Sequence, residues 1–200
     1  MSSGSPFDEF KQYLPRYLSG DEQQSLFRDL SQFPANINDR MYTRSLWDEP
    51  YVFQGDGIRD MLVVELPDTS VKPAPCMVIS NTCDMSPENR HPTPMRAAYA
   101  PIINLSKFEA AIDQTQAVND YLADVRKQRV SNVFYLPQGG GLEYEGMVML
   151  DRLNNCGLSA LNNDSLPERR LFTLSNYGFY VFVFKLSIHF TRIREQVARG

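Results

Sequence analysis

The apolar positions of this chain change period along its length, and the changes mark out its elements. Within residues 7–33, Phe7, Phe10, Tyr13, Leu14 and Leu18 form one set and Leu26, Phe27, Leu30 and Phe33 a second. Their three- and four-residue steps predict two short helices. Ser19 stands three residues before Glu22, and Pro34 follows the second set, the signature of a capping box and a helix stop. The pair reads as a helical hairpin.

Residues 35–57 scatter Tyr42, Trp47, Tyr51 and Phe53 among Pro, Asn and Gly. That predicts an irregular connection anchored to the core by its aromatics, with one short strand at 51–54. The β-rich runs 61–66 and 76–80, separated by Pro67, Pro73 and Pro75, predict two adjacent strands. A third strand is expected at 97–104, where Pro101 suits an edge or a bulge.

From 107 to 129, Phe108, Ile112, Thr115, Val118, Leu122 and Val125 share one face, predicting a single long helix. Residues 131–137 and 145–153 read as a hairpin about the turn at 138–141. In 171–194, Ser175 is placed to cap a helix with Phe182, Leu186, Phe190 and Ile193 on one face; the β-branched and aromatic run 179–184 also suits a strand, and helix is the reading adopted. The economical architecture is α+β: a small, strongly bent antiparallel sheet or SH3-like barrel with an N-terminal helical hairpin, one long interposed helix and a C-terminal helix.

At 200 residues and 42% hydrophobic content the chain can bury a sizeable core. Its division is expected as a helical and aromatic extension, 1–56, followed by a barrel-like domain, 57–200. Three cysteines are too few for a disulfide scaffold of this length, which points to a reducing, cytoplasmic setting. The first residues lack a basic segment followed by an apolar one, so no secretory signal is read there. The apolar run 179–188 contains Lys185 and is shorter than a span of about 20 residues, so no membrane partner is expected. A net charge of -4 and a pI near 5.2 give no global attraction for nucleic acid.

Between 57 and 106 the order is strand, Pro-containing loop, strand ending Val78-Ile79-Ser80-Asn81, polar loop with Pro92-Thr93-Pro94, and strand. This segment, about a quarter of the chain, resembles the core of the MazF/PemK-type ribonuclease toxins, small SH3-like barrels whose second strand begins with Arg-Pro and ends in an apolar-Ser/Gln-Asn pattern. The resemblance implies an intracellular protein of a toxin-like or defence-related system that binds or cleaves single-stranded RNA. It places the family's loop Ser or Thr at Thr93. The family's catalytic Arg falls on Ala74, before Pro75, a departure from the motif.

Cleavage through a 2′-hydroxyl needs a proton acceptor and a cation for the phosphorane charge. The candidates are Thr93, Arg96 and Lys72 at the scissile phosphate, with Asp84 or His91 transferring the proton. Lys is a poorer clamp than the Arg fork. The competing function is a non-catalytic protein–protein interaction module, whose partner engages the N-terminal helices; a homodimer is a further partner expectation. A third reading makes Cys83 the nucleophile of a hydrolase or transferase, with His91 eight positions on. Against it, Cys83 suits a packed thiol and Asp84 an Asx turn.

No cofactor or metal is expected: Cys76, Cys83, Cys156, His91 and His189 lack the spacing of a zinc knuckle. Gly139-Gly140-Gly141 lacks the Lys-Ser/Thr of a phosphate loop and stands before Glu143 and Glu145, favouring a hairpin turn. Arg90, His91, Arg96 and Tyr99 form a candidate anion surface or a solvated loop. Arg169, Arg170, Lys185, Arg192, Arg194 and Arg199 read as a solvated basic face or a docking surface.

Overall fold

The computed structural model describes residues 19–89, 92–113 and 115–190, apart from the side chains of Phe27 and Asp39. The first helix of the expected hairpin, His91 and the basic residues after 190 lie outside them. The chain is α+β, with a mainly antiparallel eight-stranded sheet that does not close into a barrel.

Helix α1 (Gly20–Ser31) starts where the sequence places it. Ser19 Oγ accepts from the Glu22 N–H, and the Glu22 carboxylate accepts from the Ser19 N–H at 2.8 Å. Leu26 and Leu30 are buried. After α2 (Ile37–Arg40), the two-residue strand β1 (Tyr42–Thr43) forms one sheet edge. Residues 51–54 form no strand, because the loop's backbone groups bind side chains instead, as described below.

Strands β2 (Gly57–Val64) and β3 (Val71–Val78) pair antiparallel, and β4 (Arg96–Asn104) pairs next to β3. The structure extends β3 back through Pro73 and Pro75. Val78 N–H donates to Asp56 O, and the Ile79 N–H donates to Ala98 O. On an extended strand, even-numbered residues of β3 therefore turn their backbone groups toward β2 and odd-numbered ones toward β4. Both prolines place their missing donors on the β4 side, so the β2–β3 ladder loses nothing.

The predicted long helix is two: α3 (Leu105–Ala111) and α4 (Gln116–Arg126). Ile112 is extended, and Thr115 Oγ1 accepts from the Val118 N–H to cap the second helix. Thr115 therefore starts a helix instead of filling an apolar face. Strands β5 (Val133–Leu136) and β6 (Gly146–Met149) form the expected hairpin. Three strands are not expected from the sequence: β1, β7 (Asn154–Gly157) and β8 (Arg170–Leu174), the last after the short α5 (Leu166–Arg169). Helix α6 (Asn176–Phe190) closes the fold, its Ser175 Oγ accepting from the Gly178 N–H at 3.1 Å.

The strand order is β1-β8-β2-β3-β4-β6-β5, with β7 also paired to β4. Alternation along β3 divides the interior: Met77 and Ile79 face one core, Cys76 and Val78 the other. The first core joins the sheet to α1, α4 and α6, with the Phe134 and Phe182 rings 5.2 Å apart. The second is enclosed by β2, β3, β4, β7 and the segment 158–166. Gly178 is required where α6 crosses Met41, because a Cβ there would lie 2.2 Å from the Met41 carbonyl oxygen.

The sheet's edges are blunted. β1 has two residues. At β5, Gln128 stands in for a strand: its Oε1 accepts from the Tyr135 N–H (3.0 Å) and its Nε2 donates to Tyr135 O (2.6 Å).

Candidate functional site

β3 and β4 run antiparallel, so the end of β3 and the start of β4 share one rim of the sheet. The polar residues of the loop between them satisfy backbone. Ser80 Oγ accepts from the Ala98 N–H (2.8 Å), and Thr82 Oγ1 accepts from the Gln54 N–H (2.9 Å). Asn81 Oδ1 accepts from the Cys83 N–H (2.8 Å), so Asn81, not Asp84, makes the Asx turn. Met85 returns into the second core. This fixes the loop and leaves Cys83 and Asp84 exposed, in contrast to the packed thiol that residue type suggests.

Thr93 is exposed ahead of β4. Arg96 Nε donates to Asn155 Oδ1 at 2.6 Å. The rim thus gathers Cys83, Asp84, Thr93 and Arg96. It does not gather Lys72, which lies six residues before Val78 on β3, about 20 Å away at the usual strand rise. Ala74, at the place of the family's arginine, pairs with Met61 and packs against the second core.

The other sequence candidates have structural duties. Cys76 is buried, which pushes its thiol up to about 12; Cys156 on β7 is also raised, mainly by burial. Among the described residues, no group of three or more His, Cys, Asp or Glu could hold a metal ion. Gly139 and Leu142 exchange backbone hydrogen bonds, and the Gly141 N–H donates to Leu171 O at 2.6 Å, so the glycines form a turn against β8.

The expected solvated basic face is corrected at two positions. Lys185 is buried, donating to Gln128 O at 2.7 Å; desolvation lowers it to about 8. Arg170 is 1% exposed. Its Nη1 donates to the carbonyls of Leu46 (3.0 Å), Trp47 (2.5 Å) and Glu49 (2.9 Å), and its Nη2 to Tyr51 (2.5 Å). Arg170 Nε lies 3.2 Å from Asp56 Oδ2 without hydrogen-bond alignment, an ionic contact. Burial pushes Asp56 up to about 6 against the pull of Arg170. The 46–51 carbonyls thus face a cation instead of a strand.

A surface that residue type did not disclose lies on the β2–β3 hairpin. The register sets Leu62 opposite Pro73 and Val64 opposite Val71; opposed residues share a face. Met61 and Val63 point into the second core. Asn154 Oδ1 accepts from the Val64 N–H. Leu62, Leu66, Val71 and Leu153 are 60%, 80%, 54% and 43% exposed. The run 61–66, apolar except for Glu65, hid this, because near-continuous apolar runs usually mark strands covered on both faces.

A cavity of about 540 Å³ opens between α1, β1 and the start of α6, lined by Asp29, Arg40, Tyr42, Leu174 and Tyr177 among others; no candidate from the sequence lines it. The chain matches no family model, and no curated protein matches it.

Proposed function

We propose that this protein is a non-catalytic protein–protein interaction module, with the outer face of the β2–β3 hairpin as its docking surface. The observation that carries this reading is the exposure of Leu62 and Val71, which the register sets on one face of the hairpin, with Leu66 exposed at its turn. Large apolar side chains exposed together on one face are a common mark of an interaction site. The finer reading of the sheet as an SH3-like barrel belongs with it: β2, β3, β4 and β7 curl round the second core. Tyr99 Oη donates to Leu62 O (2.6 Å), and Arg152 pairs with Glu65 (2.9 Å), where a further ladder would close it.

The toxin-like, RNA-cleaving reading is favoured by one observation, that Asp84 in the loop after β3 and Thr93 and Arg96 at the start of β4 belong to the same rim of the sheet. Against it stand Ala74 in place of the arginine and Lys72 at the far end of β3. Mixed single-stranded RNA incubated with wild type, Thr93→Ala and Arg96→Ala proteins separates the two. The interaction reading expects intact RNA at every salt concentration. Cleavage by wild type that both substitutions abolish would overturn it. An environment-sensitive dye supplies the positive arm: its fluorescence should rise with wild type and fall with Leu62→Asp/Leu66→Asp.

A further inference from the structure

We infer that the cavity between α1, β1 and the start of α6 is a binding site for a small zwitterion with an apolar side chain, an α-amino acid or a compound built like one. The site is separate from the hairpin face and from the rim of β3 and β4. Its volume of about 540 Å³ lies in the range of roughly 300–1,000 Å³ usual for ligand pockets. Most polar groups on its wall are already engaged. Thr43 Oγ1 and Ser45 Oγ share a hydrogen bond of 3.1 Å, Tyr42 Oη donates to Pro137 O (2.6 Å), and Tyr177 Oη donates to Asn36 Oδ1 (2.8 Å). Ser175 Oγ accepts from the Gly178 N–H, and the Glu22 carboxylate closes the capping box of α1. Ser25 and Asn176 are exposed.

Two groups of opposite charge are left. The Asp29 side chain is 18% exposed, yet its carboxylate makes no hydrogen bond among the described residues; Arg40 Nη2 stands 3.8 Å from its Oδ1. The Arg40 guanidinium, 58% exposed at the mouth, makes none either. At that distance the two attract without a hydrogen bond, and a carboxylate so sheltered is normally satisfied. A ligand ammonium donating to Asp29, with a ligand carboxylate accepting from Arg40, satisfies both. The ammonium nitrogen and carboxylate carbon of an α-amino acid lie about 2.5 Å apart by standard bond lengths, so one molecule reaches both. A simple anion would meet the repulsion of Asp29 and Glu22, and a simple cation that of Arg40. The remaining wall is apolar. Leu26 and Leu174 are buried there, while Tyr42 and Leu46 are half-buried. Leu26 lies three residues before Asp29 on the same face of α1, which sets an apolar contact for the ligand's side chain beside the group that holds its ammonium.

The test is a saturation-transfer nuclear magnetic resonance titration of the full chain with L-leucine up to ~10 mM, enough to detect a dissociation constant of about 1 mM. L-Leucine is expected to bind. Two compounds, 3-methylbutylamine and 4-methylpentanoate, lack its carboxylate and its ammonium in turn, and each should bind about tenfold more weakly or worse. Glycine should do the same, because it leaves the apolar wall unused. Asp29→Asn and Arg40→Gln should each weaken L-leucine binding about tenfold or more. Near-ultraviolet circular dichroism checks that both variants fold. If Asp29→Asn does not, Arg40→Gln decides alone, since its side chain is largely exposed. The proposal is overturned if wild type binds neither L-leucine nor L-phenylalanine. It is equally overturned if the amine, the acid or glycine binds as tightly as L-leucine, or if the folded Arg40→Gln protein binds L-leucine as wild type does.

Discussion

Replacing Arg170 by Ala is expected to release the segment 46–51 before the rest of the molecule unfolds. The guanidinium donates to four carbonyls of that segment and touches a carboxylate of zero exposure. Hydrogen bonds from a charged donor contribute about 1.5–3 kcal/mol each. Most of the four carbonyls can regain water once the loop lifts, so their losses do not add in full. Asp56 cannot, and stranding one member of a buried pair costs about 3–5 kcal/mol. Together these place the loss for Arg170→Ala near 5 kcal/mol, a large share of the 5–15 kcal/mol typical of a domain. Arg170→Lys keeps the charge but not the fork, and should lose about half as much. Trp47 is the sole tryptophan and lies in the bound segment, so its emission reports the loop while far-ultraviolet circular dichroism reports the sheet. In urea, Arg170→Ala should show the Trp47 transition ahead of the global one, whereas wild type should show them together. Millimolar guanidinium should move the Trp47 transition of Arg170→Ala back toward wild type by refilling the site. Coincident transitions with a loss below about 1 kcal/mol would refute the reasoning, since unsatisfied buried groups cost more than that.

Further expectations concern titration and packing. Asp56 in the folded state sits at about 6, above its ordinary value of 3.8, so the native protein holds the extra proton between those values. This group's contribution to stability therefore rises as pH falls from 6 to 4, by about 3 kcal/mol. Asp56→Asn should remove that component in urea titrations at several pH values, and an unchanged pH dependence would refute it. Lys185, lowered to about 8, works in the opposite sense: the unfolded chain holds more protons between 8 and 10.5, so stability gains about 3 kcal/mol as pH rises through that window. Lys185→Met should abolish the gain and be neutral or stabilising at pH 7, as read by thermal melts; a loss above about 2 kcal/mol would show that the bond to Gln128 outweighs desolvation. Gly178→Ala forces a Cβ against the Met41 carbonyl and should cost at least about 2 kcal/mol in chemical denaturation.

The sequence disclosed those parts of the fold whose cause is local. Ser19, Ser175 and the 138–141 turn act within a few residues, and the structure places them as read. Strands β2, β3 and β4 were legible in part from the runs 61–66, 76–80 and 97–104, as was the adjacency of the first two. What stayed hidden depends on distant partners. Nothing near Arg170 tells that it faces carbonyls more than a hundred positions back, so it reads as one more surface cation. β7, Asn154–Gly157, has a polar, glycine-ended sequence that is a strand only because β4 offers it a ladder. The break at Ile112 was masked because Thr115 fits the apolar period by position while acting as a cap. Of the candidate site, sequence order alone brought Cys83, Asp84, Thr93 and Arg96 near one rim. It could not tell that the neighbouring Ser80, Asn81 and Thr82 are engaged by backbone.

Gln128 has a consequence for assembly. Its amide satisfies one residue of β5 as a neighbouring strand would, while β1 is too short and the free part of β3 too rich in proline to accept another strand. Growth along the hydrogen-bonding direction, the route by which sheets lengthen into fibres, has no foothold at these edges. A single amide side chain at the end of a helix thus helps to keep the sheet from lengthening at that edge.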